Sequence, residues 1–319
     1  MREFDKIMKK IFSYFSLIII TFVSTIVLTA CQQQSEKTTD NQDGLNIVTS
    51  FYPIYAMTKE VSGDLNNVRM IQSGNGIHSF EPSPNDVAAI YDADIFIFHS
   101  HTLEAWAGDI KENLKDSPEK VLEASEKMSL DKVKGLEDME AGDGIDPATL
   151  YDPHTWTDPE LAIEEVEHIK EMLISADPDN KEIYEKNAEA FKKQAQEITK
   201  EYQKKFESVK NKTFVTQHTA FSYLAKRFGL TQLGIAGISP DQEPQPRQLV
   251  EIRDFIKEHD VKTIFVEANV SQKIAKTVAK STGAKLKTLS PLEADPENNK
   301  TYLENIKENL EILYQELNK

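Results

Sequence analysis

The sequence predicts an α/β protein of two βα lobes with parallel sheets, joined by one long rigid helix. Three observations carry that expectation. Short β-branched and aromatic runs alternate with helical patterns in both halves of the chain, as βα units with parallel strands do. One run, Ala93-Asp-Ile-Phe-Ile-Phe98, is apolar on both faces, as a strand buried on both sides of a sheet must be. Between the two halves stands an unbroken helical pattern from Pro178 to about Val209, roughly 48 Å long at 1.5 Å per residue.

In chain order, the first segment is of a different kind from the rest. Lys9-Lys10 precede an apolar run from Ile11 to Leu28, and Leu28-Thr-Ala-Cys31 follows. A basic start, an apolar core and small residues before a cleavage point read as a secretory signal over residues 1–30. Cys31 is the only cysteine of the 319 residues, so no internal disulfide can form. The run ending in Cys31 resembles the lipobox of bacterial lipoproteins, which implies lipidation at Cys31 and anchoring at the extracellular face of the cell membrane. Polar residues 31–44 read as the flexible tether behind it. Removing residues 1–30, with basic Arg2, Lys6, Lys9 and Lys10 against acidic Glu3 and Asp5, takes the formal charge from −16 to −18. So acidic a surface argues against nucleic acid and anionic membranes as partners.

The first lobe is expected over 45–176. Leu45–Ser50, Val68–Ile71 and Ala93–Phe98 read as strands; Phe51–Glu60 and Pro84–Tyr91 read as helices. Residues 125–150 are acidic, contain glycine and lack periodicity, which reads as a long surface loop. Asp158-Pro159 then gives an N-cap with proline at the first helical position, opening a helix to about Ser175. Asp177-Pro178 repeats that device. Beyond it Ile183, Tyr184, Ala188, Phe191, Ala195, Ile198, Tyr202 and Phe206 recur at spacings of three and four, the stripe of an amphipathic helix. Residues 177–210 are therefore expected to link the lobes, and 211–319 to form the second. Its strands are expected at 213–217, 231–235, 262–266 and 285–289, its helices at 219–228, 246–259, 270–281 and 299–317.

Seven histidines are present. His168 and His259 lie in charged helical stretches and read as surface residues. His99 and His101 form an H-x-H at a strand end, a spacing that can chelate but that also suits hydrogen-bonded loop residues. His78, His154 and His218 differ: each lies in a loop set by Gly or Pro, or at a strand end. In open α/β sheets that edge is where ligands bind, and the three together suggest one metal ion. A carboxylate in a like setting is Glu293; spacing alone does not separate it from Glu267 or Asp295.

His78 with Ser79-Phe-Glu-Pro-Ser-Pro84, Asp152-Pro-His154-Thr-Trp156, the long helix and Ser290-Pro-Leu-Glu293 together resemble the metal-binding lipoproteins of bacterial ABC importers for zinc or manganese. Gln217-His218-Thr-Ala-Phe-Ser-Tyr-Leu-Ala-Lys-Arg-Phe-Gly229 is most similar to the streptococcal zinc-binding group, also called laminin-binding proteins. The resemblance runs from about residue 45 to the C-terminus. It implies a metal between the lobes, bound by His78 and His154 from the first and by His218 and Glu293 from the second. It further implies an ABC permease as partner, with laminin as a rival one, and a monomer that is not an enzyme. Manganese members carry a glutamate where His218 stands, and three imidazoles with one carboxylate suit zinc. Many zinc importers also have a histidine-rich loop; here no histidine occurs between His101 and His154.

Overall fold

The computed structural model describes residues 44–71, 76–133 and 150–319, and residues 44–319 form one compact unit. The signal, Cys31 and the tether lie outside the described residues, as does most of the acidic loop. Among the described residues no helix is long and apolar enough to cross a membrane.

The described residues form two four-stranded parallel sheets. The first joins β1 (Asn46–Thr49), β2 (Asn67–Met70), β3 (Ile95–Phe98) and β4 (Val121–Glu123) in the order β2-β1-β3-β4. The second joins β5 (Thr213–Thr216), β6 (Thr231–Gly234), β7 (Thr263–Val266) and β8 (Lys285–Thr288) in the equivalent order β6-β5-β7-β8. Register is continuous: Ile47 faces Val68 and Ile95, and Val215 faces Leu233 and Ile264. In each sheet the order reverses beside the first strand, which opens a crevice at the carboxyl ends.

Side-chain alternation explains the central strands. Ile47, Ile95, Ile97, Phe214 and Phe265 face one shared core. Their neighbours Val48, Phe96 and Phe98 face an outer core of the first lobe, and Val215, Ile264 and Val266 one of the second. A strand with period two and apolar partners on both sides must be apolar throughout.

Among the described residues the helices are α1 (Tyr52–Ser62), α2 (Pro84–Asp92), α3 (Ala105–Asn113), α4 (Pro159–Ala176), α5 (Lys181–Glu207), α6 (Ser222–Arg227), α7 (Pro246–Glu258), α8 (Lys273–Thr282) and α9 (Tyr302–Leu317). Pro178–Asn180 forms a 3-10 turn, so the α-helical part of the long element is 27 residues, about 40 Å. Its stripe is as expected except at one end. Ile183 is 41% exposed, whereas Thr199 is buried and returns its hydroxyl to Ala195 O at 3.0 Å. The rest of the stripe packs on α4, α1 and α9.

Two elements were not foreseen. Helix α3 carries Gly108 in its middle, and β4 has three residues; both give a weak periodic signal. The C-terminal helix α9 holds to the second sheet through Glu316, which accepts from Thr263 Oγ1 at 2.9 Å, and also reaches back to α5 and α1. There Asn305 Nδ2 donates to Tyr52 Oη at 3.1 Å. One apolar core thus runs from Ile47 and Phe51 along α5 to Phe214, Phe228 and Leu310.

Candidate metal centre

Four loops leave the carboxyl ends of strands and meet in the cleft. The loop after β2 brings His78, with Ile77 beside it buried in the shared core. Gly76 has φ +95, and a Cβ there would stand 3.9 Å from Glu293 Oε2; the left-handed backbone that only glycine adopts freely turns the chain toward the site. Ser83 then caps α2 in a capping box with Asp86.

His154 sits between Pro153 and a 3-10 turn, Thr155–Thr157, that leads into α4. Asp158 caps that helix by accepting from Glu160 N at 3.0 Å. Asp152 Oδ1 accepts from His154 N at 3.0 Å and from the ring at Nδ1, 2.7 Å. A ring that donates from Nδ1 presents a free lone pair at Nε2. His218 follows β5 and repeats the arrangement, with Nδ1 2.6 Å from Glu267 Oε1. Glu267 follows β7, the neighbouring strand, and that adjacency places it behind the ring.

Glu293 leaves β8 through Ser290-Pro-Leu. Leu292 is buried with φ 60, a left-handed conformation that costs a non-glycine residue roughly 1–2 kcal/mol. The loop is over-determined by neighbours. Asn309 Nδ2 on α9 donates to Ser290 O at 2.6 Å, and Trp156 Nε1 donates to Pro291 O at 2.7 Å. The Tyr302 hydroxyl on α9 in turn donates to Trp156 O.

The Nε2 atoms of His78, His154 and His218 lie 3.4, 3.5 and 3.2 Å from Glu293 Oε1, and those of His78 and His154 lie 3.3 Å apart. One ligand atom from each of the four residues falls within 4.8 Å of every other. A tetrahedral ion with bonds of about 2.0–2.1 Å would separate its ligands by about 3.3 Å. His154, His218 and Glu293 are almost fully buried, and the His78 side chain is 8% exposed.

The electrostatics are those of a site that attracts a cation. Burial opposes the Glu293 charge, yet His218, His154 and His78 hold its carboxyl well below the usual range. Burial likewise opposes the His218 cation, but Glu293 and Glu267 push its pKa up to about 10. His154 is raised because Asp152 outweighs burial. His78, with no carboxylate behind it, is lowered by burial.

The other histidines go elsewhere. His99 is wholly buried and donates from Nε2 to Pro153 O at 2.7 Å, with Nδ1 3.6 Å from Glu165. His101 turns outward to Glu123 Oε1 at 2.6 Å, so this H-x-H forms no chelate. His168 Nδ1 meets Ala124 O at 2.7 Å, and His259 is exposed against Phe255. Asp295 is exposed and accepts from Glu297 N at 2.8 Å. Of the three carboxylates left open by spacing, Glu293 enters the cluster and Glu267 stands behind His218. The supporting roles of Asp152 and Glu267 were missed; the Asp152-Pro-His154 spacing held the first, while only the strand order could give the second. Such partners fix ring orientation. Glu267→Gln is therefore expected to weaken metal binding about 10–100-fold with the fold intact, as a chelator-competition titration would read.

Residues 47–316 match the family model described as zinc-uptake complex component A, periplasmic. The chain is 38% identical over 308 residues to the zinc-binding lipoprotein AdcA of Streptococcus pneumoniae, covering 93% of this chain and 60% of that protein. It thus spans less than two thirds of the length of that relative. It is 36% identical over 298 residues to the high-affinity zinc uptake system protein ZnuA of Bacillus subtilis, covering 90% and 93%. Among solved structures it is similar to a mutant of the laminin-binding adhesin Lmb of Streptococcus agalactiae, with 66% identity, TM-score 0.79 and 86% and 100% coverage. A zinc-bound mutant variant of AdcAII of Streptococcus pneumoniae gives 66% identity, TM-score 0.81 and 86% and 99% coverage.

Proposed function

Because the chain belongs to the zinc-uptake complex component A family, we propose that it captures Zn²⁺ outside the cytoplasm and hands it to an ABC permease. The ion is cargo, held by His78, His154, His218 and Glu293. The observation that carries this reading is the gathering of four ligand atoms within 4.8 Å of one another, with Glu293 Oε1 3.2–3.5 Å from all three imidazoles. Three imidazoles and one carboxylate are a zinc donor set. Four protein ligands also leave none of the open positions that catalytic zinc keeps, which supports a binding rather than a catalytic site. Lipidation at Cys31 tethers it to the outer face of the cell membrane, and it acts as a monomer. Residues 45–176 and 211–319 serve as the lobes and 177–210 as their link. Since one core runs through both lobes, release proceeds by local movement of the ligand loops or on permease docking rather than by a large rotation.

Protein purified without added metal is expected to hold a single zinc ion per chain and to keep it against manganese; stable preferential manganese loading would overturn the assignment. Binding must also expel protons. Metal-free His218, with its pKa near 10, is charged at neutrality, so one proton leaves with each ion bound. Zinc affinity should therefore fall at least about tenfold per pH unit as pH drops below 8, and more steeply as His154, whose pKa is raised, and then His78 take up protons. The metal-free fold follows the opposite sign. Stability from protonated His218 is full below about 6.5 and is lost as pH rises through about 10. Competition titrations across pH check the first, and melting of the stripped protein the second.

A second reading, host-matrix adhesion, draws on the likeness to a laminin-binding adhesin. A strain carrying His218→Ala separates the two. Loss of zinc-limited growth alone supports transport; loss of laminin adhesion at unchanged protein level supports a metal-dependent adhesin.

A further inference from the structure

The loop that carries His154 is paired, through backbone, with the chain just after β4. Val133 N donates to Leu150 O at 2.7 Å, Lys132 and Tyr151 form an antiparallel bridge, and Asp152 N donates to Asp131 O at 2.9 Å. In such a ladder, residues of a hydrogen-bonded pair exchange both N–H···O bonds. Asp131 and Asp152 exchange only one directly. The return bond is replaced by a side chain from the second lobe: Tyr223 Oη accepts from Asp131 N at 2.8 Å and donates to Asp152 O at 2.7 Å.

Tyr223 lies on α6 and is 4% exposed. Its hydroxyl therefore occupies a fixed place in the ladder as a third member between N–H and C=O. The residue it holds is Asp152, whose carboxylate is bonded to both the backbone and the ring of His154. Two further side chains of the same short helix reach across. Arg227 Nε donates to Asp158 at 3.0 and 3.1 Å, and Lys226 Nζ to Asp131 Oδ2 at 2.6 Å. Ser222, the first residue of the same helix, hydrogen-bonds the Asp152 carboxylate, while Tyr223 is the one that holds the Asp152 backbone.

We infer that Tyr223 is a positioning residue of the metal centre: reaching from the second lobe, its hydroxyl fixes the Asp152 backbone and so the carboxylate that aims His154 Nε2 at the ion. The inference rests on the zinc-binding reading above. Without the hydroxyl the ladder either closes to a direct bond or admits water. Each moves Asp152, and ligand orientation moves with it. Phenylalanine keeps the buried ring, so Tyr223→Phe removes the two hydrogen bonds and little packing.

The test uses the full chain, stripped and reloaded with Zn²⁺ or Co²⁺. Parent, Tyr223→Phe and Lys226→Ala are compared in zinc dissociation under excess chelator and in the Co²⁺ d–d spectrum, which reports ligand geometry. Tyr223→Phe is expected to release zinc about tenfold faster, the lower end for an outer partner, and to change the Co²⁺ bands. Lys226→Ala, which removes an exposed cross-lobe ion pair, should match the parent in both. Parent-like release and spectrum in Tyr223→Phe would overturn the inference, whatever its melting temperature. So would the same change in Lys226→Ala, which would make lobe docking in general responsible. A parent that binds neither ion would instead overturn the zinc reading itself, and this inference with it.

Discussion

His218→Ala should weaken zinc binding about 100–1,000-fold. A full structural zinc site is worth roughly 10–16 kcal/mol, so one ligand of four corresponds to about 2.5–4 kcal/mol, or about two to three powers of ten. Chelator-competition titration measures this directly, and a loss below about fivefold would remove His218 from the ligand set. The loss is graded because His78, His154 and Glu293 still converge. The metal-free protein should suffer too. His218 lies between Glu267 and Glu293, and removing one partner of a buried charge pair costs about 3–5 kcal/mol. His218→Glu tests selection rather than strength. The new carboxylate gives two nitrogens and two carboxylates, a set that suits manganese better. It also faces Glu267 and Glu293, and like charges at such range raise one another's pKa values. Zinc affinity should fall and the zinc-to-manganese ratio should fall with it; an unchanged ratio would show that geometry, not donor type, sets the preference.

Trp156→Ala is expected to be the most destabilising single change near the site. The indole is fully buried, with its ring 5.0 Å from Phe51, 4.9 Å from His99 and 5.1 Å from His154. Truncating a buried tryptophan costs about 3–5 kcal/mol. Pro291 O also loses the indole N–H, and a buried acceptor left alone costs about 1–3 kcal/mol more. Trp156 ties the loop of His154 to that of Glu293, so zinc affinity should drop along with stability. Trp156→Phe separates the parts: it keeps most of the ring packing and loses the donor. Denaturant unfolding of the stripped protein gives the stability change. Zinc titration of Trp156→Phe then shows whether the Pro291 bond alone sets Glu293; affinity equal to the parent would show that it does not.

The parts of this protein that obey local rules were readable from its residues. Ile95-Phe-Ile-Phe98 can only be a strand with apolar layers on both sides, and the caps at Asp158 and the stripe from Tyr184 to Phe206 state their helices outright. His78, His154 and His218 could be suspected because punctuated loops and strand ends are where an α/β sheet presents ligands. What stayed hidden depends on tertiary pairing. Glu293 and Glu267 have nearly the same local setting, and only the adjacency of β5 and β7 puts Glu267 at the back of His218. The 3-residue β4 exists because β3 supplies its ladder. Ile183 obeys the helical period yet faces solvent, because no neighbour covers the first turn on that side. Trp156 and Tyr223 carry no local sign that they tie one lobe's loop to the other's.

The apolar core shared by both lobes along α5 makes them one thermodynamic body. An ion bound in the cleft then adds its binding energy to the cohesion of the whole body, by RT ln(1 + [L]/Kd) at free ion concentration [L]. On the zinc-binding reading, resistance to proteolysis should therefore rise with metal loading. The metal-free form is the one expected to be cut first in a limited-proteolysis comparison of stripped and zinc-loaded protein.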